Sequence, residues 1–150
     1  MKQMQAFILI SDHFDELFVI NCVCQMRQRG LATHLVAVSS RFPEGKHGVT
    51  VQPDLTLSQL SSFTEAPIPR LLLIPGGEAS TAALLADPRV HQLLEMTLQN
   101  EGVVAVMTPV QQVLADMGMP ALQMMENFMV QNGETAEQFV AKIIGRLTEK

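Results

Sequence analysis

Val103-Val104-Ala105-Val106-Met107-Thr108-Pro109-Val110-Gln111-Gln112-Val113-Leu114-Ala115-Asp116-Met117-Gly118 passes from an unbroken apolar run into a helical pattern, with one sharp turn between them. The run Val103 to Val106 reads as a strand buried on both faces, as in a parallel sheet, and a helix follows Pro109. A strand that turns straight into a helix is the repeating unit of α/β architecture. Its turn is a favoured mount for a reactive side chain. Here the turn carries Met107, which is neither acid, base nor good nucleophile.

The same alternation extends in both directions. Ala6 to Ile10 is a second apolar run, followed by Asp12 as a plausible N-cap and by acids in the first helical turn. Leu17, Ile20, Val23 and Cys24 continue the helical spacing to Arg27, Arg29 and Gly30, basic residues and then a glycine that signal a stop. Leu35 to Val38 is the next strand. Ser39 to Pro53, with Gly45, Gly48 and alternating Val49 and Val51, reads as a loop with a small hairpin-like excursion. Leu55 to Leu60 reads as a short helix, and Ser61 to Pro69 as a connecting loop.

Leu71 to Ile74 is another buried strand, ending at Pro75-Gly76-Gly77. Helices are expected from Ser80 to Leu85 and from Pro88 to Asn100, the second capped by Asp87 with Pro88 at its first position. Met124 to Val130 is a weaker strand. Asn132-Gly133 turns the chain into a last helix, Thr135 to Leu147, with Phe139, Ile143, Ile144 and Leu147 inward. Strands alternating with helices specify a three-layer α/β/α sandwich with a mostly parallel, flavodoxin-like sheet, expected as a single domain over 1–150.

Bulk properties restrict the partners. A formal charge of −5 and a pI near 5.3 argue against nucleic acid and against an anionic membrane surface, because phosphate-rich partners need clustered Lys and Arg. No apolar run approaches transmembrane length, and no signal peptide is apparent. Cys22 and Cys24, two apart on a helix, point to different sides and neither bridge nor chelate, so reduced thiols suggest the cytoplasm. Trp and Tyr are absent, which removes the usual stacking platform. Of the ten methionines, Met117, Met119, Met124, Met125 and Met129 are bunched, as adaptable core filling or a soft partner surface.

Chemistry in such sheets collects outside the carboxyl ends of the strands. Gly76 and Gly77 allow backbone N–H groups to face an oxyanion, or they serve only a tight turn. His13 with Asp12, Asp15 and Glu16 is the densest polar cluster, yet neighbours at a helix start splay apart, and capping explains the acids more simply. His34, His47 and His91 stand alone, without ligand spacing, so no metal site is expected. No dinucleotide or phosphate-loop fingerprint occurs, and no cofactor is expected.

In order along the chain, four segments resemble the DJ-1/PfpI (ThiJ) family of the class I glutamine amidotransferase-like superfamily. They are Ala6 to Ile10 with the helix end at Met26 to Gly30; Leu73 to Gly77 with Leu84 to Val90; Val104 to Met107 with Val113 to Gly118; and Glu126 to Ala136. The resemblance implies a cysteine on the elbow, a protonated glutamate from the first helix and often a histidine. A thiolate at a helix start is activated by local positive potential. In this chain the elbow position is Met107 and the glutamate position falls on Phe18, with Glu16 two residues away.

Gly118 to Met125 is shorter than the family's segment and lacks the histidine. Thr108 is the only hydroxyl at the elbow. The resemblance therefore implies a homodimeric pseudoenzyme with no catalytic set. Gly76, Gly77, Thr108, Glu16, Asp15 and His13 remain as candidates for binding a small anionic or carbonyl ligand; the other role implied is binding of a protein partner, with contacts that cover the exposed Met-rich surface. The alternative is a hydrolase or glyoxalase-like enzyme, with His13, Asp15 or Glu16 as relocated acid-base groups near a Gly76-Gly77 oxyanion site. A flavodoxin-like cofactor binder is a third reading.

Overall fold

In the computed structural model, which describes residues 4–38, 41–62, 68–75, 78–107 and 127–148, the apolar runs are the strands of one sheet. The strands are β1 (Gln5–Ile10), β2 (Ala32–Ala37), β3 (Leu55–Thr56), β4 (Leu71–Ile74), β5 (Val103–Val106) and β6 (Phe128–Val130). The helices are α1 (Glu16–Gln28), α2 (Leu57–Ser62), α3 (Glu78–Leu85), α4 (Pro88–Gln99) and α5 (Ala136–Thr148). The sheet is six-stranded in the order β3-β2-β1-β4-β5-β6, and every neighbouring pair is parallel. The chain winds outward from β1 through β2 and β3, then crosses back to lay β4 against β1. That reversal puts the topological switch point at the carboxyl ends of β1 and β4.

The alternation of side chains along β1 divides the core. Ala6, Ile8 and Ile10 face α1 and α5, together with Leu71, Leu73, Val103 and Ala105. Phe7 and Leu9 face the other layer, where Leu57, Leu84, Leu85, Val90, Leu94 and Leu98 close over Leu72, Ile74, Val104 and Val106. Both faces of the sheet are covered, which is why its strands are continuously apolar instead of alternating.

Local signals placed most helix ends. Asp87 caps α4 by accepting from the Arg89 amide at 2.9 Å. Gly30 and Gly133 take positive φ where the chain leaves α1 and approaches α5. Of the residues expected inward on α5, Phe139, Ile143 and Leu147 are buried and Ile144 packs against the same cluster.

Three expectations are corrected. The N-cap of α1 is Asp15, accepting from the Phe18 amide at 3.2 Å, and Asp12 instead accepts from the Glu44 amide at 3.0 Å. Leu55 and Thr56 form a strand rather than helix, because β2 offers them an open parallel edge at Val36 and Ala37. On α1 the spacing of Leu17, Ile20 and Cys24 marks the exposed side. The buried side consists of Phe18, Val19, Cys22, Val23 and Met26, since nearly every position of this helix is apolar or neutral and periodicity alone does not choose a face. The helix expected after Pro109, the methionines from Met117 to Met125, and Gly76, Gly77 and Thr108 lie outside the described residues.

Candidate functional site

At the switch point, Ser11 follows β1 directly and is fully buried. Its hydroxyl lies 3.1 Å from the Ser80 carbonyl oxygen, which accepts from it, and 3.0 Å from the Ser80 hydroxyl, tying the end of β1 to α3. Met107 leaves β5 with its amide 3.4 Å from the Ile74 carbonyl and its side chain half-buried against the cluster under α1 and α5. Phe18 belongs to the same cluster, its ring 6.5 Å from that of Phe139. Phe18 is thus a core residue, and Met107 packs beside the same core.

The polar residues after β1 are organised by the segment 41–51. This strap folds on itself through an antiparallel bridge between Glu44 and Thr50, with Gly48 at positive φ in its turn. The His13 amide donates to the Glu44 carbonyl at 2.7 Å while Asp12 accepts from the Glu44 amide, and the Lys46 amide donates to the Phe14 carbonyl at 2.9 Å. These bonds hold His13 at a φ of 71°, a left-handed conformation unusual for a side-chain-bearing residue. Asp15, besides capping α1, takes the Lys46 ammonium at 3.4 Å.

Glu16, the first residue of α1, turns inward and is only 5% exposed. Its Oε2 accepts from the amides of His47 at 2.8 Å and Val49 at 3.1 Å. Its Oε1 lies 2.9 Å from His47 Nδ1, and since a carboxylate only accepts, Nδ1 is the protonated ring nitrogen. Gly45 lies so close that a Cβ there would sit 2.1 Å from Glu16 Cδ. The glycine is required by space, because the strap closes directly over the carboxylate.

Burial by itself raises the pKa of Glu16, but its own backbone N–H, the amides of Val49 and His47 and the His47 ring outweigh it and bring the carboxyl down to about 2. A group so acidic is a poor proton donor and a weak base near neutral pH. Burial, with the Asp15 charge adding to it, pushes the Cys22 thiol up to about 12, so Cys22 is an inert core thiol. Cys24 is exposed, and the two point apart as their spacing predicts.

An open cleft of about 600 Å³ lies above the strap, lined by Asp12, His13, Phe42, Glu44, Gly45, Lys46 and Gly48. His13 is exposed at this cleft, Asp15 is spent on the cap and on Lys46, and Glu16 faces the interior. The three candidate acid-base groups therefore do not converge. His47, expected to stand alone, is instead the side-chain partner of Glu16. Local spacing gave no sign of a pair separated by the whole of α1 and β2. The nearest sequence signal was the Gly45–Gly48 frame around His47.

The model of the DJ-1/PfpI family matches residues 4–140. Among solved structures, oxidised DJ-1 from Toxoplasma gondii superposes with a TM-score of 0.81 at 14% identity, over 97% of this chain and 91% of that one. DJ-1beta from Drosophila melanogaster gives 0.77 at 19% identity, covering 99% and 92%. Schizosaccharomyces pombe DJ-1 gives 0.79 at 15%, covering 98% and 93%. At such identities the likeness is one of fold. No curated protein matches the sequence. Among the described residues, no helix is long and apolar enough to cross a membrane.

Proposed function

This chain belongs to the DJ-1/PfpI family, and from that premise we propose that it is a non-catalytic member, a homodimer that binds a small anionic or carbonyl ligand, or a protein partner, at the carboxyl ends of its strands. The observation that carries this reading is the commitment of Glu16. The one carboxylate at the start of the first helix that turns inward is committed to two amides and an imidazole of the strap, which hold it ionised and buried away from the cleft. Beside it, the position that the family resemblance gives to a glutamate is the core residue Phe18, and the position it gives to a cysteine is Met107. Gly76, Gly77 and Thr108 remain the proposed contacts for an anion at the switch point.

The homodimer reading is supported by the outer face of α1. No residue from Leu17 to Met26 is charged, yet Leu17 is 76% exposed and Ile20 42%, with Cys24 one turn further on. Charge depletion on a surface helix fits the centre of an interface better than a solvated face. The unpaired thiols Cys22 and Cys24 fit a reducing compartment such as the cytoplasm.

The test is enzymatic. Purified protein incubated with methylglyoxal, and separately with peptide substrates, is expected to give no turnover above the buffer rate. Turnover that survives Met107→Ala but disappears in Glu16→Gln would establish instead the glyoxalase-like or hydrolytic alternative with relocated groups. A coloured preparation with a flavin spectrum would favour the cofactor-binding reading.

A further inference from the structure

The chain passes from β6 to α5 through Gln131-Asn132-Gly133-Glu134. Asn132 and Gly133 are both exposed, and Gly133 takes a φ of 81°. Among the described residues, neither the Gly133 N–H nor the Asn132 side-chain amide has a hydrogen-bond partner. The other asparagines, Asn21, Asn100 and Asn127, precede Cys22, Glu101 and Phe128, and Asn100 spends its side-chain amide on the Met96 carbonyl at 2.8 Å. Asn132 alone precedes a residue with no side chain to crowd its backbone nitrogen. Asparagine is a chemically labile residue, and exposed turns are where such lability concentrates. We propose that Asn132-Gly133 is a self-modification site: the Gly133 nitrogen attacks the Asn132 side-chain amide, and the turn matures to isoaspartate and aspartate with loss of ammonia.

The Gly133 nitrogen gives its proton to solvent base and forms a bond to Asn132 Cγ, closing a cyclic imide between neighbours already in reach of each other. The Cγ–Nδ2 bond breaks, and Nδ2 leaves as ammonia with a proton from water. Water then opens the ring. Addition at Cγ gives aspartate. Addition at the Asn132 main-chain carbonyl carbon gives isoaspartate, whose main chain runs through Cβ and Cγ. Nothing is oxidised or reduced, and water is the only co-reactant.

The products have structural consequences because the turn is tied on both sides. The Gln131 amide donates to the Val106 carbonyl at 2.7 Å, and the Gln131 side chain donates to the Glu134 carbonyl at 2.6 Å. Glu134 Oε2 accepts from the Asn132 amide at 2.5 Å, and its Oε1 takes the Lys142 ammonium of α5 at 3.2 Å. Either product sets a second carboxylate beside that of Glu134, where like charges repel. Isoaspartate also lengthens the main chain by a methylene. Modification therefore adds a negative charge at the carboxyl end of β6 and loosens the clasp that Glu134 makes between β6 and α5.

The experiment ages the folded full chain at neutral pH and reads the peptide containing Asn132 by mass and by chromatography that separates isoaspartate from aspartate. A gain of about 1 Da is expected there, with isoaspartate among the products. Its rate should lie within about tenfold of that of the same chain unfolded in urea. Asn132→Gln, which would have to close a larger ring, is expected to abolish the gain. Gly133→Ala, whose Cβ meets no atom within 4 Å, is expected to slow it roughly tenfold by crowding the attacking nitrogen. A folded chain slower than that limit, aspartate without isoaspartate, or equal gains at Asn21, Asn100 and Asn127 overturns the site. The aged fraction, separated by its extra negative charge, is expected to exchange the residue-132 amide at least about tenfold faster. Unchanged exchange there overturns the loosening of the clasp.

Discussion

The helices α1 and α5 lie in the same layer, against the same face of the sheet, with Phe18 and Phe139 meeting between them. Inward they are equivalent, each giving a row of buried apolar residues to one cluster. Outward they differ. The exposed positions of α5 include Glu137, Lys142 and Arg146, whereas those of α1 between Leu17 and Cys24 are Leu17, Ile20, Asn21 and Cys24. Helix formation and core packing require neither pattern on the outer side. Water favours the first, and the second fits a partner. The contrast also explains why α5 was legible from periodicity and the orientation of α1 was not.

The comparison is broken most severely from the inside. Phe139→Ala removes a fully buried ring shared by both helices and is expected to cost about 3–5 kcal/mol of stability, measured by denaturant unfolding. A loss much below that range would mean that the two helices do not depend on a common core.

Next comes the join between α1 and the strap. Gly45→Ala forces a methyl into the Glu16 carboxyl and is expected to cost about 1–3 kcal/mol, with the strap amides of His47 and Val49 losing protection first. Acid probes the same join. Glu16 has a folded pKa of about 2 against an ordinary 4.5, so its contribution is fully present above 4.5 and is lost as pH falls through about 2. The strap should therefore loosen across that window, followed by hydrogen exchange or by the His47 ring resonances. In Glu16→Gln the acid dependence of those signals should vanish.

The smallest effects on the monomer sharpen the contrast between the two outer faces. Leu17→Glu, at a position 76% exposed, should change monomer stability by no more than about 0.5 kcal/mol. The same should hold for Ala141→Glu, at an exposed position of α5. Only the α1 substitution is expected to shift the sedimentation equilibrium toward monomer. Equal behaviour of both variants would show that the charge-poor face of α1 has no partner of its own kind.

The strands Ala6 to Ile10, Leu71 to Ile74 and Val103 to Val106, the cap at Asp87, the inward face of α5 and hence the parallel three-layer architecture were legible in the amino-acid order. These follow from short-range properties: apolar runs, helical spacing, and side chains that cap or break a helix within one turn. Long-range packing sets which side of α1 is buried, brings Leu55 and Thr56 to the sheet edge, and turns Glu16 inward to hold His47 and Val49. A uniformly uncharged helix takes its orientation from the sheet it packs on. A strand as short as β3 exists because β2 offers it unpaired backbone groups. A carboxylate finds donors thirty-odd residues away only after β1, α1 and β2 have brought the strap to it.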